Sequence, residues 1–85
     1  MTGIDRDIRA AILRALLAAK GAMPEAALKE HVNNLFSVVA MSDGDLMQHF
    51  KALQEAQFIS GTNDPLVGMM WDLTPTGKIR AQQLR

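Results

Sequence analysis

Residues Met41–Thr74 read MSDGDLMQHFKALQEAQFISGTNDPLVGMMWDLT, and this stretch decides the fold. Ser42 is followed three places later by Asp45, the spacing at which a hydroxyl caps a helix start and a carboxylate reaches back to the cap. Leu46, Phe50 and Leu53 recur at helical spacing and are expected to point inward. Gly44, Asp45, Gln48, Lys51, Ala52 and Glu55 fall on the outer side. The reading is a helix over Ser42 to Gln57, a short strand over Phe58 to Ser60, a glycine-bounded loop over Gly61 to Gly68 and a second strand over Met69 to Thr74. Gly61-Thr62-Asn63-Asp64-Pro65 carries strong turn chemistry. Met69, Trp71 and Leu73 alternate with Met70, Asp72 and Thr74, so one set faces a core, and Trp71 is the large aromatic anchor.

Outward from this unit the chain is helical. A first helix is predicted over Ile4 to Lys20, with Asp5 and Asp7 at its positive end and Gly21 as its C-terminal cap. Ile4, Ile8, Ile12 and Leu16 make one stripe; Leu13 and Leu17 make a second, roughly opposite. A helix apolar on two sides is sandwiched in a core or covers a partner, so Leu13 and Leu17 are candidate dimer contacts. A second helix is predicted to begin at Pro24, with Ala27, Leu28, His31, Val32, Leu35 and Phe36 on its inner face. Ser37 to Met41 reads as a connector. Thr74 caps a last helix whose first residue is Pro75, and Ile79 and Leu84 are placed to dock it. The expected class is mostly α with a small β-hairpin: three core helices, two strands and a short C-terminal helix in one domain spanning residues 1–85.

The segment from Leu46 to Ile59 resembles the third helix of many bacterial winged-helix proteins, with Gln57 where a glycine is common. Trp71-Asp-Leu-Thr-Pro-Thr-Gly77 resembles their second wing strand followed by leucine–threonine–x–x–glycine and a closing helix. The resemblance to the winged helix-turn-helix superfamily covers about the second half of the chain and singles out no subfamily. It implies a DNA-binding transcriptional regulator of small bacterial or phage type. DNA contacts would then fall on Ser42, Gln48, Lys51 and Ala52 of the third helix, and on Thr62 and Asn63 of the wing.

Charge pulls the other way. DNA affinity comes mainly from Lys and Arg on phosphates. Residues 41–75 hold five carboxylates (Asp43, Asp45, Glu55, Asp64, Asp72) against Lys51 alone. Arg6, Arg9, Arg14 and Lys20 lie near one end of the chain and Lys78, Arg80 and Arg85 near the other, so the bases are expected to form a patch on the face away from the third helix. The rival reading is a protein-interaction domain, an inhibitor or antirepressor, using Asp45, Ala52 and Glu55 with an apolar hairpin tip at Leu66 and Val67. The partner classes left open are therefore double-stranded DNA, a protein and a second copy of the chain.

Other classes are excluded by composition. Of 85 residues, 48% are hydrophobic and 21% charged, nine bases balancing nine acids, which is globular and without general attraction to polyanions. There is no cysteine, hence no disulfide or thiol chemistry. Arg9 and Arg14 interrupt the one long apolar run, which rules out a membrane span, and no signal-peptide layout precedes it. A cytoplasmic location is the expectation. His31, on the inner side of the second helix, and His49, on the flank of the third, are the only histidines. No His-x-x-x-His pair, nucleophile elbow or phosphate loop is present, so neither enzyme nor metal nor cofactor is expected.

Overall fold

The computed structural model describes residues 3–39 and 41–84. Its elements run α1 (Gly3–Ala19), β1 (Met23–Pro24), α2 (Glu25–Leu35), α3 (Asp43–Glu55), β2 (Ile59–Asp64), β3 (Gly68–Leu73) and α4 (Pro75–Gln83). Ala40 of the predicted connector and Arg85 of the predicted basic patch lie outside the described residues.

The chain is mostly helical with a small antiparallel sheet, and α1 is its axis. It packs against α2, α3, α4 and β3 at once. Ile8, Ile12 and Leu16 are buried, and so is Leu13 of the second stripe. The dimer reading of Leu13 is therefore corrected: Leu13 is covered by the chain's own elements. Leu17 is half-buried against the same core, and Ile4 is exposed at the helix start. The left-handed residue that ends α1 is Lys20 (φ 57°), not Gly21.

The second helix departs from expectation in two ways. Pro24 is its N-cap rather than its first residue, because Met23 and Pro24 form a short strand against β3 (Met23 opposite Trp71, Pro24 opposite Met70). Among the described residues the sheet thus has three strands in the order β1-β3-β2, not two. Pro24 sits on an edge strand, where its missing N–H is tolerated. The inner face of α2 is also narrower than predicted. Leu28 and Val32 are buried and Phe36 half-buried, whereas Ala27, His31 and Leu35 are exposed.

Both ends of α3 are closed by local bonds. The Asp45 amide donates to Ser42 Oγ (3.1 Å) and the Ser42 amide to Asp45 Oδ2 (3.0 Å), a complete capping box. At the other end the helix stops at Glu55. The Phe58 amide donates to the Leu53 carbonyl (3.0 Å) and the Gln57 amide to the Gln54 carbonyl (2.9 Å), with Gln57 in the left-handed region at φ 64°. This is a Schellman closure with glutamine where glycine is the unstrained residue. Gln57→Gly is expected to raise stability by about 0.5–1 kcal/mol, the relief of left-handed strain less the glycine's added chain entropy. Urea unfolding followed by Trp71 fluorescence would measure it; a loss of stability would contradict this account of the turn.

The hairpin is tighter than the sequence implies. β2 continues through Asp64, paired in register from Ile59 opposite Leu73 to Asp64 opposite Gly68. Only Pro65, Leu66 and Val67 turn, and Gly68 (φ 86°) completes the reversal. Asp64 Oδ1 accepts from the amides of Leu66 (2.8 Å) and Val67 (3.2 Å). Gly61 is a strand residue because Trp71 lies opposite it; a Cβ there would come within 2.9 Å of the indole ring.

Thr74 and Pro75 open α4 as predicted: Thr74 Oγ1 accepts from the Gly77 amide (3.0 Å). Docking is by Gly77 and Ala81, which are buried, with half-buried Leu84. Ile79, expected to dock, is 60% exposed.

Candidate functional surface

The outward row of α3 is Gln48, Lys51 and Glu55, all exposed, with Ala52 half-buried beside them. These four line a shallow groove of about 330 Å³, and the fifth lining residue is Arg9 of α1. Arg9 is held there by α3 itself. Its Nε donates to His49 Nδ1 (3.1 Å), and His49 is 7% exposed. Nδ1 must be the acceptor, so the imidazole proton sits on Nε2, which lies 3.7 Å from Asp5 Oδ1. Asp5, His49 and Arg9 thus form a chain of contacts linking α1 to α3. It borders a cleft of about 290 Å³ whose other walls include Ile8, Met41 and Gln48.

Burial holds the His49 imidazole below the usual histidine range, and the Arg9 guanidinium pushes the same way; Asp5 and Asp45 oppose them without prevailing. Below the unfolded value of about 6.5 the unfolded chain takes up a proton that the folded chain refuses. The stability this site contributes is complete above about pH 6.5 and is lost as pH falls from there through the lower folded value. The domain should therefore become easier to unfold with urea in that window, and His49→Gln should remove this part of the dependence. A pH profile unchanged by His49→Gln would show that His49 does not resist protonation.

The bases expected to share one far patch divide: Lys20 and Lys78 line a cleft that no α3 residue enters, while three arginines lie beside α3. Arg6 and Arg9 of α1 and Arg80 of α4 border an apolar groove of about 190 Å³ beside α3, floored by Leu13, Leu53, Phe58 and Leu84. Ala52 and Ala56 form its α3 wall. The charge seen along the sequence and the charge seen by a partner differ for this reason. A cleft between α2 and the start of α3 is acidic: Glu25, Glu30 and Asp43 line it with Asn33, Asn34 and Lys29. Lys29 Nζ lies 3.7 Å from Glu25 Oε2.

The remaining predicted contacts are scattered. Ser42 is exposed, but its hydroxyl already caps α3. Thr62 and Asn63 are exposed on β2 rather than in a loop, and neither lines the α3 groove. Leu66 is 94% and Val67 56% exposed at the hairpin tip. Asp45 is exposed, and its carboxylate serves the capping box. His31 is exposed and His49 buried, the reverse of the expected order. The Arg9–His49 pairing joins residues 40 apart and leaves no short motif; only the Asp5–Arg9 spacing on α1 hints at it.

Among the described residues no group of three His, Cys, Asp or Glu side chains is arranged to hold a metal ion. No helix among them is long and apolar enough to cross a membrane. Comparison of the chain with protein-family models, with curated proteins and with solved structures finds no match.

Proposed function

We propose that this chain is a winged-helix-type domain that binds double-stranded DNA through the outward face of α3, as a small transcriptional regulator acting in the cytoplasm. The reading rests on one observation above others: Arg9 lies in the same groove as Gln48 and Lys51. Gln48 offers an amide able to pair with a base edge, and Lys51 and Arg9 offer charge for the flanking phosphates. The element order supports the same reading, with a capped α3 followed by the β2–β3 hairpin. Three of the five acids that argue against it have local backbone partners: Asp45 closes the α3 capping box, Asp64 the hairpin turn, and Asp72 accepts from the Leu73 amide.

The test is binding to a mixed-sequence duplex by fluorescence anisotropy across a salt series. Lys51→Ala should weaken binding about evenly across sequences and lower the magnitude of the log–log salt slope by about 1. An unchanged slope would remove Lys51 from the interface.

A second reading, a protein-interaction domain, is favoured by the exposed Leu66 and Val67 tip, flanked on β3 by exposed Met69. On that reading Asp45, Ala52 and Glu55 would complete the surface. Leu66→Asp would then abolish partner binding at unchanged stability, a substitution to which the DNA reading is indifferent.

A further inference from the structure

We propose that the groove bordered by Arg6, Arg9 and Arg80 docks an acidic amphipathic helix of a protein partner. This groove adjoins the α3 reading face and shares Arg9 and Ala52 with it, but its proposed use does not depend on that face binding DNA. Its floor is hydrocarbon from two helices and two flanking residues: half-buried Phe58, leading into β2, and half-buried Leu84, past α4, reach the surface over buried Leu13 of α1 and Leu53 of α3. All its charged lining residues are arginines, in a chain whose overall charge is zero.

Each feature selects the occupant. A guanidinium pairs with a carboxylate through two parallel hydrogen bonds, so three around one groove favour an anionic ligand. The apolar floor asks for a side chain that leaves water, which a phosphate backbone cannot supply. A groove of about 190 Å³ is of the order of the ~150 Å³ apolar cavities that accept a benzene-sized group. One leucine or phenylalanine anchor, with Glu or Asp on the flanks of the same helix, meets both demands. Ala52 and Ala56 on the α3 wall keep the rim low enough for a helix backbone to approach. Arg6 and Arg80 are exposed on different helices, while Arg9 is steadied by His49. The rim is therefore part fixed and part adjustable.

The probe is a fluorescein-labelled, N-acetylated peptide of about 15 residues, with leucine at i, i+3, i+4 and i+7 and glutamate at the flanking positions. It is titrated into the labelled full chain and followed by amide NMR and by anisotropy. The expected result is saturable shifts on Arg9, Leu13, Ala52, Phe58 and Leu84. Binding should weaken at least tenfold in the Arg6→Glu, Arg80→Glu double variant and weaken with added salt. Both positions are exposed, so a thermal melt should leave the double variant's midpoint near that of the parent. The control that needs no variant is the same peptide with lysine in place of glutamate, which should not bind the parent protein. The proposal is overturned if the acidic peptide shifts no amides or shifts only those of the hairpin tip. It is also overturned if the lysine peptide binds equally well, or if duplex DNA moves the Leu13, Phe58 and Leu84 amides, which the α3 groove does not include, and the peptide does not.

Discussion

Gly77→Ala is expected to cost at least about 3 kcal/mol, a large part of the roughly 5–10 kcal/mol that holds a domain of this size together. Helix propensity alone predicts the opposite sign, because alanine outranks glycine by about 1 kcal/mol inside a helix. The packing decides. A Cβ on Gly77 would overlap the Phe58 carbonyl oxygen and stand 2.7 Å from its carbon and 3.1 Å from its Cα. That peptide cannot easily withdraw. The Phe58 carbonyl accepts from the Thr74 amide (3.0 Å), and the Phe58 amide closes α3 on the Leu53 carbonyl (3.0 Å). Thr74 adds a third tie, donating its hydroxyl to the Gln57 carbonyl while accepting from the Gly77 amide. The clash is with backbone held from both sides, so relief means separating α4 from the end of α3. Urea unfolding by Trp71 fluorescence would show the loss; a change under about 1 kcal/mol would mean that the junction yields as a flexible side chain would.

Trp71→Ala should destabilise by about 3–5 kcal/mol, as large-to-small changes in a packed core do. Trp71 is 3% exposed on the middle strand, opposite Met23 on one side and Gly61 on the other. Its ring centroid lies 5.6 Å from that of Phe50, tilted by 33°, which ties the sheet to α3. Its Nε1–H donates to Glu25 Oε1 (3.1 Å), which ties the sheet to α2. Trp71→Phe keeps most of the ring and loses that bond, so it should cost about 1–2 kcal/mol. The comparison needs circular dichroism, since Trp71 is the only tryptophan. Equal costs for the two variants would place the stabilisation in the indole N–H rather than in packing.

The legible parts of this fold are those whose chemistry is local. The Ser42–Asp45 box and the Thr74–Pro75 start are side-chain-to-backbone devices within three residues, and both stand where the sequence places them. The inward rows of α1 and α3 follow from period alone. What escapes is made by distant partners. β1 is two residues without an alternation to read, and it exists because β3 offers an edge. Gly61, Thr62 and Asn63 have turn composition, yet the ladder to β3 holds them extended, and the indole opposite needs the glycine. The candidate surface divides in the same way. Gln48 and Lys51 are readable as outward from helical spacing. Arg9 and Arg80 join Ala52 only because α1 packs on both α3 and α4, so a tally of charges along residues 41–75 misjudges what a ligand meets.

The proposed function stands most directly on where duplex DNA touches the protein. An amide NMR titration with a mixed-sequence duplex at about 50 mM salt, repeated at about 200 mM, spans the range over which phosphate-driven binding collapses. Shifts centred on Arg9, Gln48 and Lys51 that vanish at the higher salt are the expected result. An undisturbed spectrum at the lower salt, or shifts confined to the Leu66–Val67 tip, would contradict DNA reading by α3.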